Sequence, residues 1–355
     1  MTVINLSKKQ HAAIQRILDW YKSDQQFFVL AGYAGSGKST LARRIAEKLG
    51  GVFCAYTGKA ANVLRERGIN ACTIHSLIYK YEGRDPETKE IMWSLENTDG
   101  AFLIVDEYSM IDRKILDDLK RSYKKILFLG DPMQLPPIKE KGQILEPDFF
   151  LDEIHRQAAD NPIIKWAHEI RQGNIPYHDM NDNDQFIVKR IDDLTDQEMI
   201  DADQIIVGKN KTVRDINMYM RELYGYSDVS NLPVRGEKLM CLQNKHEDNL
   251  FNGYVFYADR PASDWSVKQF FYNLEIDGKI HKVWDGDVLG KEPKEFNFYS
   301  GQQRINYAYA ITAHKSQGSE YDSVVILNEA WGQHKLNWLY TAVTRGKQKV
   351  ILAHR

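Results

Sequence analysis

A chain of 355 residues is too long for one small core, and the usual domain size predicts about two to three domains. With 43% hydrophobic and 27% charged residues it has the composition of an ordinary globular protein rather than a disordered or membrane one. A formal net charge of -2 excludes coating nucleic acid by bulk charge, although a local basic groove stays open.

No apolar stretch reaches the roughly 20 residues that span a bilayer, and MTVINLSKKQ lacks the apolar segment of a signal peptide. A cytoplasmic protein without a membrane partner is expected. Cys54, Cys72 and Cys241 are odd in number and widely spaced, which indicates neither a disulfide framework nor a zinc site but buried thiols.

In chain order, Ile14, Ile17, Leu18 and Tyr21 fall at helical spacing, and Ser7 with Gln10 three residues later makes a capping box, so a helix comes first. Short unbroken apolar runs at 27–31, 52–56, 101–105 and 126–129 then alternate with helical segments at 40–49 and 59–67. Unbroken runs alternating with helices predict a parallel sheet covered on both faces. The pattern lapses over 79–98, YKYEGRDPETKEIMWSLENT, where a turn-rich DPET centre between pairable flanks predicts a small hairpin insertion.

After residue 150 a second alternating region follows: a helix near 161–172, a strand at 204–207 and a helix from 212 to about 223. It resumes with a strand at 324–327, a helix at 336–344 and a closing strand at 349–353. Between them, 233–300 is rich in aromatic, Gly and Asp residues with period-two stretches such as KQFFYNLEI and KIHKVW, which predicts an inserted β module. The expected domains are 1–150, with the hairpin at 79–98; 151–232 with 301–355; and the module at 233–300.

Residues 32–39 match GxxxxGK[ST] after a strand and before a helix, the setting in which that pattern cradles phosphates. Gly35, Ser36 and Gly37 let backbone N–H groups approach the phosphates, and Lys38 supplies a point charge for the β and γ oxygens. Ser39 offers a hydroxyl to Mg²⁺, and Thr40 completes the set expected to bind the nucleotide. In FLIVDEYSM, Asp106 and Glu107 lie at the carboxyl end of an apolar strand, where open α/β sheets place ligands. Asp106 there can hold Mg²⁺ through water, and Glu107 can orient or deprotonate an attacking water. Alone, two adjacent acids are as often a solvated turn; beside a phosphate loop they predict hydrolysis. In FLGDPMQLPP, Gln134 is placed to sense the γ-phosphate or its attacking water with Asp131 in support, and the plainer reading is a Pro-rich turn.

GYAGSGKST, AYTGKAA, VDEYSM, GDPMQLPP, EIHRQ, AITAHKSQGSE and YTAVTR, in this order, resemble the motif series of superfamily 1 helicases. The variants look like the superfamily 1B branch that contains RecD and the phage helicase Dda, and the resemblance runs over 6–345, nearly the whole chain. It implies an α/β fold of two RecA-like P-loop motor domains with a small hairpin insertion and an SH3-like β module. It further implies ATP and Mg²⁺ bound between the domains, and a monomeric 5′–3′ motor on single-stranded and forked duplex DNA. Replication or recombination proteins would be its partners, and a phage-encoded member would work in the host cytoplasm.

Carried over by residue, Gln10 resembles the glutamine that reads adenine, while Arg156 and Arg345 resemble two arginine fingers aimed at the γ-phosphate. Such fingers contribute about 10³ to 10⁵ in rate where they have been studied. Gly318 and Glu320 resemble the segment that contacts the γ-phosphate and ribose. Thr57, Lys59, Thr73, His75, Ser76, Thr312, His314 and Lys315 match positions lining the DNA strand, where hydroxyls and a lysine suit phosphate contacts that carry no sequence information. His75 and His314 are equally well read as hydrogen-bonded loop residues. The hairpin occupies the place of the branch's duplex-splitting pin. Two other readings stay open: an ATP-driven translocase or remodeller that separates no strands, and an RNA helicase, since a backbone grip does not by itself select the sugar.

Overall fold

Ser7 and Gln10 close the predicted capping box. Ser7 Oγ accepts from the Gln10 N–H at 3.2 Å, Gln10 Oε1 accepts from the Ser7 N–H at 3.0 Å, and helix α1 (Lys8–Lys22) starts there. Its buried stripe is Ala13, Ile17 and Trp20, at the helical spacing that packs one face. The computed structural model describes residues 6–84, 91–96, 99–136, 145–153, 160–245, 250–266, 268, 270–291, 296 and 302–354. They fall into two compact units: Met1–Ile175, Gln317–Ser319 and Gly332–Thr344 make unit 1, and Pro176–Ser316, Glu320–Trp331 and Arg345–Arg355 make unit 2.

In unit 1, β1 (Phe27–Gly32), β2 (Val52–Ala55), β3 (Ala71–Thr73), β6 (Gly100–Asp106), β7 (Tyr123–Gly130) and β8 (Phe149–Leu151) form one sheet in the order β3-β2-β6-β7-β1-β8. Every neighbouring pair is parallel. Alternation along the strands divides the core between two faces. Leu30, Ile104, Leu127 and Leu129 pack with α1 and with Leu41 and Ile45 of α2 (Lys38–Leu49). Val29, Leu103, Val105, Ile126 and Phe128 pack with Ile115, Leu116 and Leu119 of α5 (Arg113–Ser122). Each such side chain contributes about 1.5–3 kcal/mol by leaving water, which is why these strands read as unbroken apolar runs. Helix α3 (Gly58–Glu66) follows β2, and the short α4 (Ile74–Ile78) follows β3.

Over the predicted insertion, β4 (Tyr79–Arg84) pairs antiparallel with β5 (Ile91–Leu95), and residues 85–90 and 97–98 lie outside the described ones. The Tyr79 hydroxyl donates to Asp118 of α5 at 2.5 Å and roots the pair on unit 1; burial and Asp118 hold that phenol above its usual range. Helix α6 (Pro162–Arg171), with Asn161 as its N-cap, also belongs to unit 1.

Unit 2 holds a second sheet: β9 (Met180–Asp182), β10 (Phe186–Arg190), β11 (Gln204–Val207), β18 (Ala310–Thr312), β19 (Tyr321–Leu327) and β20 (Gly346–His354), in the order β18-β11-β19-β20-β10-β9. All its pairs are parallel except β9 with β10 at the edge. Two three-stranded antiparallel sheets accompany it. One joins β12 (Lys238–Cys241), β13 (Val255–Tyr257) and β17 (Ile305–Tyr307), so its last strand comes from beyond residue 300. The other joins β14 (Ser263–Ser266), β15 (Phe271–Ile276) and β16 (Lys279–Trp284). In β15 the period-two pattern is literal, with Tyr272, Leu274 and Ile276 buried in turn. Asp277 and Gly278, both at positive φ (49° and 76°), make the tight turn into β16. These residues share one core with Ile205, Val207 and Val325 of the parallel sheet.

Helix α8 (Asn210–Leu223), preceded by α7 (Asp196–Ile200), is fixed to this core by Arg221. Its Nε donates to Glu237 at 2.6 Å with both side chains nearly inaccessible, and its guanidinium lies 4.5 Å from the Tyr307 ring centroid. Truncating one partner of such a buried pair costs about 3–5 kcal/mol. Between α8 and the end of the chain come the short α9 (Gly286–Leu289) and α10 (Ala313–Ser316), then α11 (Lys335–Val343). Sequence order places α11 with the second α/β region, but α11 packs within unit 1. Among the described residues no helix is long and apolar enough to cross a membrane.

Candidate active site

The carboxyl ends of β1, β6 and β7 adjoin because β7 pairs with both β1 and β6. At the end of β1 the chain turns through a loop with Gly35 and Gly37 in the left-handed region (φ 77° and 83°), a conformation glycine takes without penalty. A Cβ on Gly32 would stand 2.7 Å from Ser36 Oγ and 2.8 Å from Leu151, so the loop also needs glycine for space. Gly37 caps α2, whose first N–H groups and positive dipole end therefore face the loop. Lys38 arches over it, its ammonium donating to Gly32 O at 2.7 Å and Tyr33 O at 2.9 Å.

Gln10 reaches the same loop. While its Oε1 is used in the capping box, its Nε2 donates to Ser36 O at 3.1 Å, and the side chain is buried. Tyr33 is held on three sides: the Arg171 guanidinium lies 3.7 Å from its ring centroid, and the rings of Phe150 and His168 meet it edge-on at 4.8 and 5.2 Å. Burial and the neighbouring Arg171 hold the His168 imidazole below its ordinary range, and its Nδ1 pairs with an Arg171 nitrogen at 3.0 Å. Sequence reading missed this clamp. Nothing in the helical pattern of α6 marks His168 or Arg171 apart from their spacing.

At the end of β6, Asp106 and Glu107 are half-buried. Burial first and the Glu107 charge second push Asp106 up to about 6, and Lys38 opposes both. Such an acid retains its negative charge best next to a cation. Glu107 adopts a left-handed backbone (φ 56°) that opens the short 3-10 turn Tyr108–Met110, and its N–H donates to Asp106 Oδ1 at 3.0 Å. A non-glycine residue in that region costs about 1 kcal/mol or more.

The end of β7 supplies the third group. Gln134 Nε2 donates to Glu107 Oε1 at 3.4 Å, and the Gln134 N–H donates to Asp131 O at 3.1 Å. Gln134 Oε1 and Ser36 Oγ are buried without a hydrogen-bond partner among the described residues. Unspent polar atoms beside a glycine-rich loop and an acid pair fit a polyphosphate with its cation and water. The loop after β7 is gripped from α11 and from Gln317, contacts that span about 180 residues or more of chain and leave no local trace in the sequence.

The residues expected along a strand of nucleic acid divide between the units. In unit 1, Thr57 and Thr73 stand at the carboxyl ends of neighbouring β2 and β3 and cap α3 and α4, accepting from Ala60 N and Ser76 N, each at 3.1 Å. Ser76 Oγ donates back to Thr73 O at 3.0 Å. His75 lies between the Tyr56 and Tyr79 rings, with centroids 6.0 and 5.6 Å away, and Lys59 lies in the first turn of α3. Gly318 joins this group: at φ 70° a Cβ would come within 2.9 Å of Ala60 Cβ and 3.5 Å of Thr57 Oγ1. In unit 2, Thr312 ends β18 and accepts from the Lys315 N–H at 3.3 Å, while His314 and Lys315 lie in α10. Glu320 is exposed and Arg345 is buried, its carbonyl accepting from Tyr321 N at 2.8 Å. Arg156 lies outside the described residues.

Residues 5–193 match the family model described as AAA domain, and residues 307–353 match that of the UvrD-like helicase C-terminal domain. The chain is 32% identical to the ATP-dependent RecD2 DNA helicase of Deinococcus radiodurans over 98% of its own length, and spans 49% of that protein. It is 28% identical to the ATP-dependent DNA helicase dda of Enterobacteria phage T4, over 99% of this chain and 100% of that one. In fold it resembles the Pif1 helicase from Bacteroides solved with ADP-AlF3 and ssDNA, with a TM-score of 0.56 at 18% identity, covering 98% of this chain and 92% of that one. With the phosphate loop, the acid pair and the glutamine assembled at adjoining strand ends, the chain belongs to the superfamily 1B helicases of the RecD, Dda and Pif1 type.

Proposed function

We propose that this protein is an ATP-dependent DNA helicase that couples ATP hydrolysis to 5′–3′ movement on single-stranded DNA and to opening of the duplex. What supports this reading is that Lys38, Glu107 and Gln134 follow three adjoining strand ends, with the Gln134 amide donating to the Glu107 carboxylate. In this reading Gly35, Ser36, Gly37, Lys38, Ser39 and Thr40 hold the phosphates. Gln10 and Glu320 hold the nucleoside end, and Gly318 the γ-phosphate side. Ser39 and Asp106 would hold Mg²⁺, which when bound offsets phosphate charge. Glu107 takes the proton of the water that attacks the γ-phosphorus as the bond to the ADP oxygen breaks, and Gln134 orients that water. Arg156 and Arg345 spread the charge that develops on the phosphoryl oxygens.

The Thr57, Lys59, Thr73, His75 and Ser76 group, with Thr312, His314 and Lys315, would follow the phosphodiester backbone. The pair of strands β4 and β5, with Met92 and Trp93 each 40% exposed, would serve as the strand-splitting pin. The small sheets of unit 2 would correspond to an SH3-like module.

Steady-state phosphate release tests the reading. Single-stranded DNA is expected to stimulate turnover strongly and single-stranded RNA weakly. Replacing 83–92 with a short turn should keep that stimulation and abolish opening of a forked duplex. Equal stimulation by RNA would reassign the substrate, and no turnover under any condition would overturn the reading.

A further inference from the structure

The turn after β7 is held by a set of contacts that the catalytic reading leaves unexplained. Asn337, Tyr340 and Thr341 lie at i, i+3 and i+4 on α11, one helical face. Asn337 Nδ2 donates to Met133 O at 3.1 Å, Thr341 Oγ1 accepts from Leu135 N at 2.9 Å, and Gln317 Nε2 donates to Leu135 O at 2.7 Å. The Tyr340 hydroxyl donates to Asp131 Oδ2 and accepts from the Ala34 N–H at 2.9 Å. Tyr340 is fully buried and Asp131 is 1% exposed. Of these four side chains, Tyr340 alone is bonded both to the phosphate loop and to the turn that carries Gln134.

The turn depends on Asp131. Its Oδ1 accepts from Met133 N at 3.0 Å and its carbonyl accepts from Gln134 N at 3.1 Å, which directs the Gln134 amide to Glu107. A buried carboxylate needs its donors, and a hydroxyl donating to an ionised oxygen makes a bond of the stronger, charge-assisted kind. Loss of the hydroxyl would leave Asp131 Oδ2 and Ala34 N–H short of a partner together, so the turn and the loop would no longer be fixed to one point.

We propose that Tyr340 is a positioning residue for hydrolysis: its hydroxyl sets the register between the phosphate loop and the Asp131–Gln134 turn, and so the placement of Gln134 against Glu107. This rests on the hydrolytic reading of the site. Among the described residues Tyr340 makes no bond to Lys38, whose ammonium is fixed independently by Gly32 O and Tyr33 O, so its effect should fall mainly on turnover.

Tyr340→Phe tests this by removing one oxygen and keeping the ring. DNA-stimulated kcat should fall about 10- to 100-fold, the range expected when buried hydrogen-bonding groups lose their partner, while the Kd for a non-hydrolysable ATP analogue stays within about two-fold. The same substitution in a Gln134→Ala background should cost less than about three-fold, because both act through one group. If Tyr340→Phe melts early, Asp131→Asn weakens the same bond at nearly constant volume and should show the same split between kcat and Kd. Unchanged kcat in Tyr340→Phe, or additive losses in the double variant, overturns the inference while the hydrolytic reading stands. Absence of turnover in the unsubstituted protein, or full turnover in Gln134→Ala alone, overturns the hydrolytic reading and this inference with it.

Discussion

Lys38→Ala should abolish ATP turnover while leaving the protein folded. Lys38 opens α2 directly after the left-handed Gly37, and its ammonium is fixed over the loop by Gly32 O and Tyr33 O. That anchoring puts a point charge where the loop N–H groups converge, and removing one preorganised charge from such a site costs on the order of 10²- to 10³-fold or more in rate. The side chain is half-buried and has no part in the cores on either face of the sheet, so the melting temperature should move little. Lys38→Arg should fail as well, because a planar guanidinium does not reproduce a compact ammonium bonded to two loop carbonyls. Phosphate release at saturating ATP checks both variants, and normal turnover in Lys38→Ala would move the phosphate site elsewhere.

Glu107→Gln should separate binding from chemistry. The amide keeps the size of the carboxylate and can still meet Gln134, but it cannot accept the proton of the attacking water, a loss worth about 10²- to 10⁴-fold in kcat. Binding should persist or tighten. The Glu107 charge is one of the causes that raise Asp106 toward about 6, so its removal lets Asp106 return toward the ordinary carboxylate range and hold negative charge more firmly. Equilibrium binding of a fluorescent ATP analogue with Mg²⁺, measured beside kcat, reads both effects. Unchanged kcat would require another base.

Much of unit 1 was legible because its strands are buried on both faces and therefore appear as unbroken apolar runs. The run at 101–105 became Gly100–Asp106, and that at 126–129 became Tyr123–Gly130. Helix ends moved by a residue or two where caps decide them: α2 begins at Lys38 because Gly37 is the cap, and α6 begins at Pro162 because Asn161 is. Three-residue strands such as β3 and β8 are too short to carry a period, and they exist because a neighbour supplies the hydrogen bonds. Chain order gives no sign of where α11 packs for a related reason: its bonds go to Asp131, Met133 and Leu135, about 200 residues earlier.

The candidate site shows the same division. Lys38, Asp106, Glu107 and Gln134 were readable as motifs at strand ends, where the topology then brings them together. Gln10 was readable both as a capping residue and by resemblance, and its bond to Ser36 O joins the two roles at one loop. The contacts of Tyr33, His168, Arg171 and Tyr340 were not readable, because a side chain's place in a motif or on a helix gives no sign of which distant group it meets.

Unwinding of a short duplex carrying either a 5′ or a 3′ single-stranded tail, with ATP hydrolysis recorded alongside, tests whether the protein is a 5′–3′ DNA helicase. Only the 5′-tailed duplex should open, and opening should be lost in Lys38→Ala. Opening of the 3′-tailed duplex instead would contradict the direction, and DNA-stimulated hydrolysis with neither duplex opened would leave a translocase or remodeller in place of a helicase.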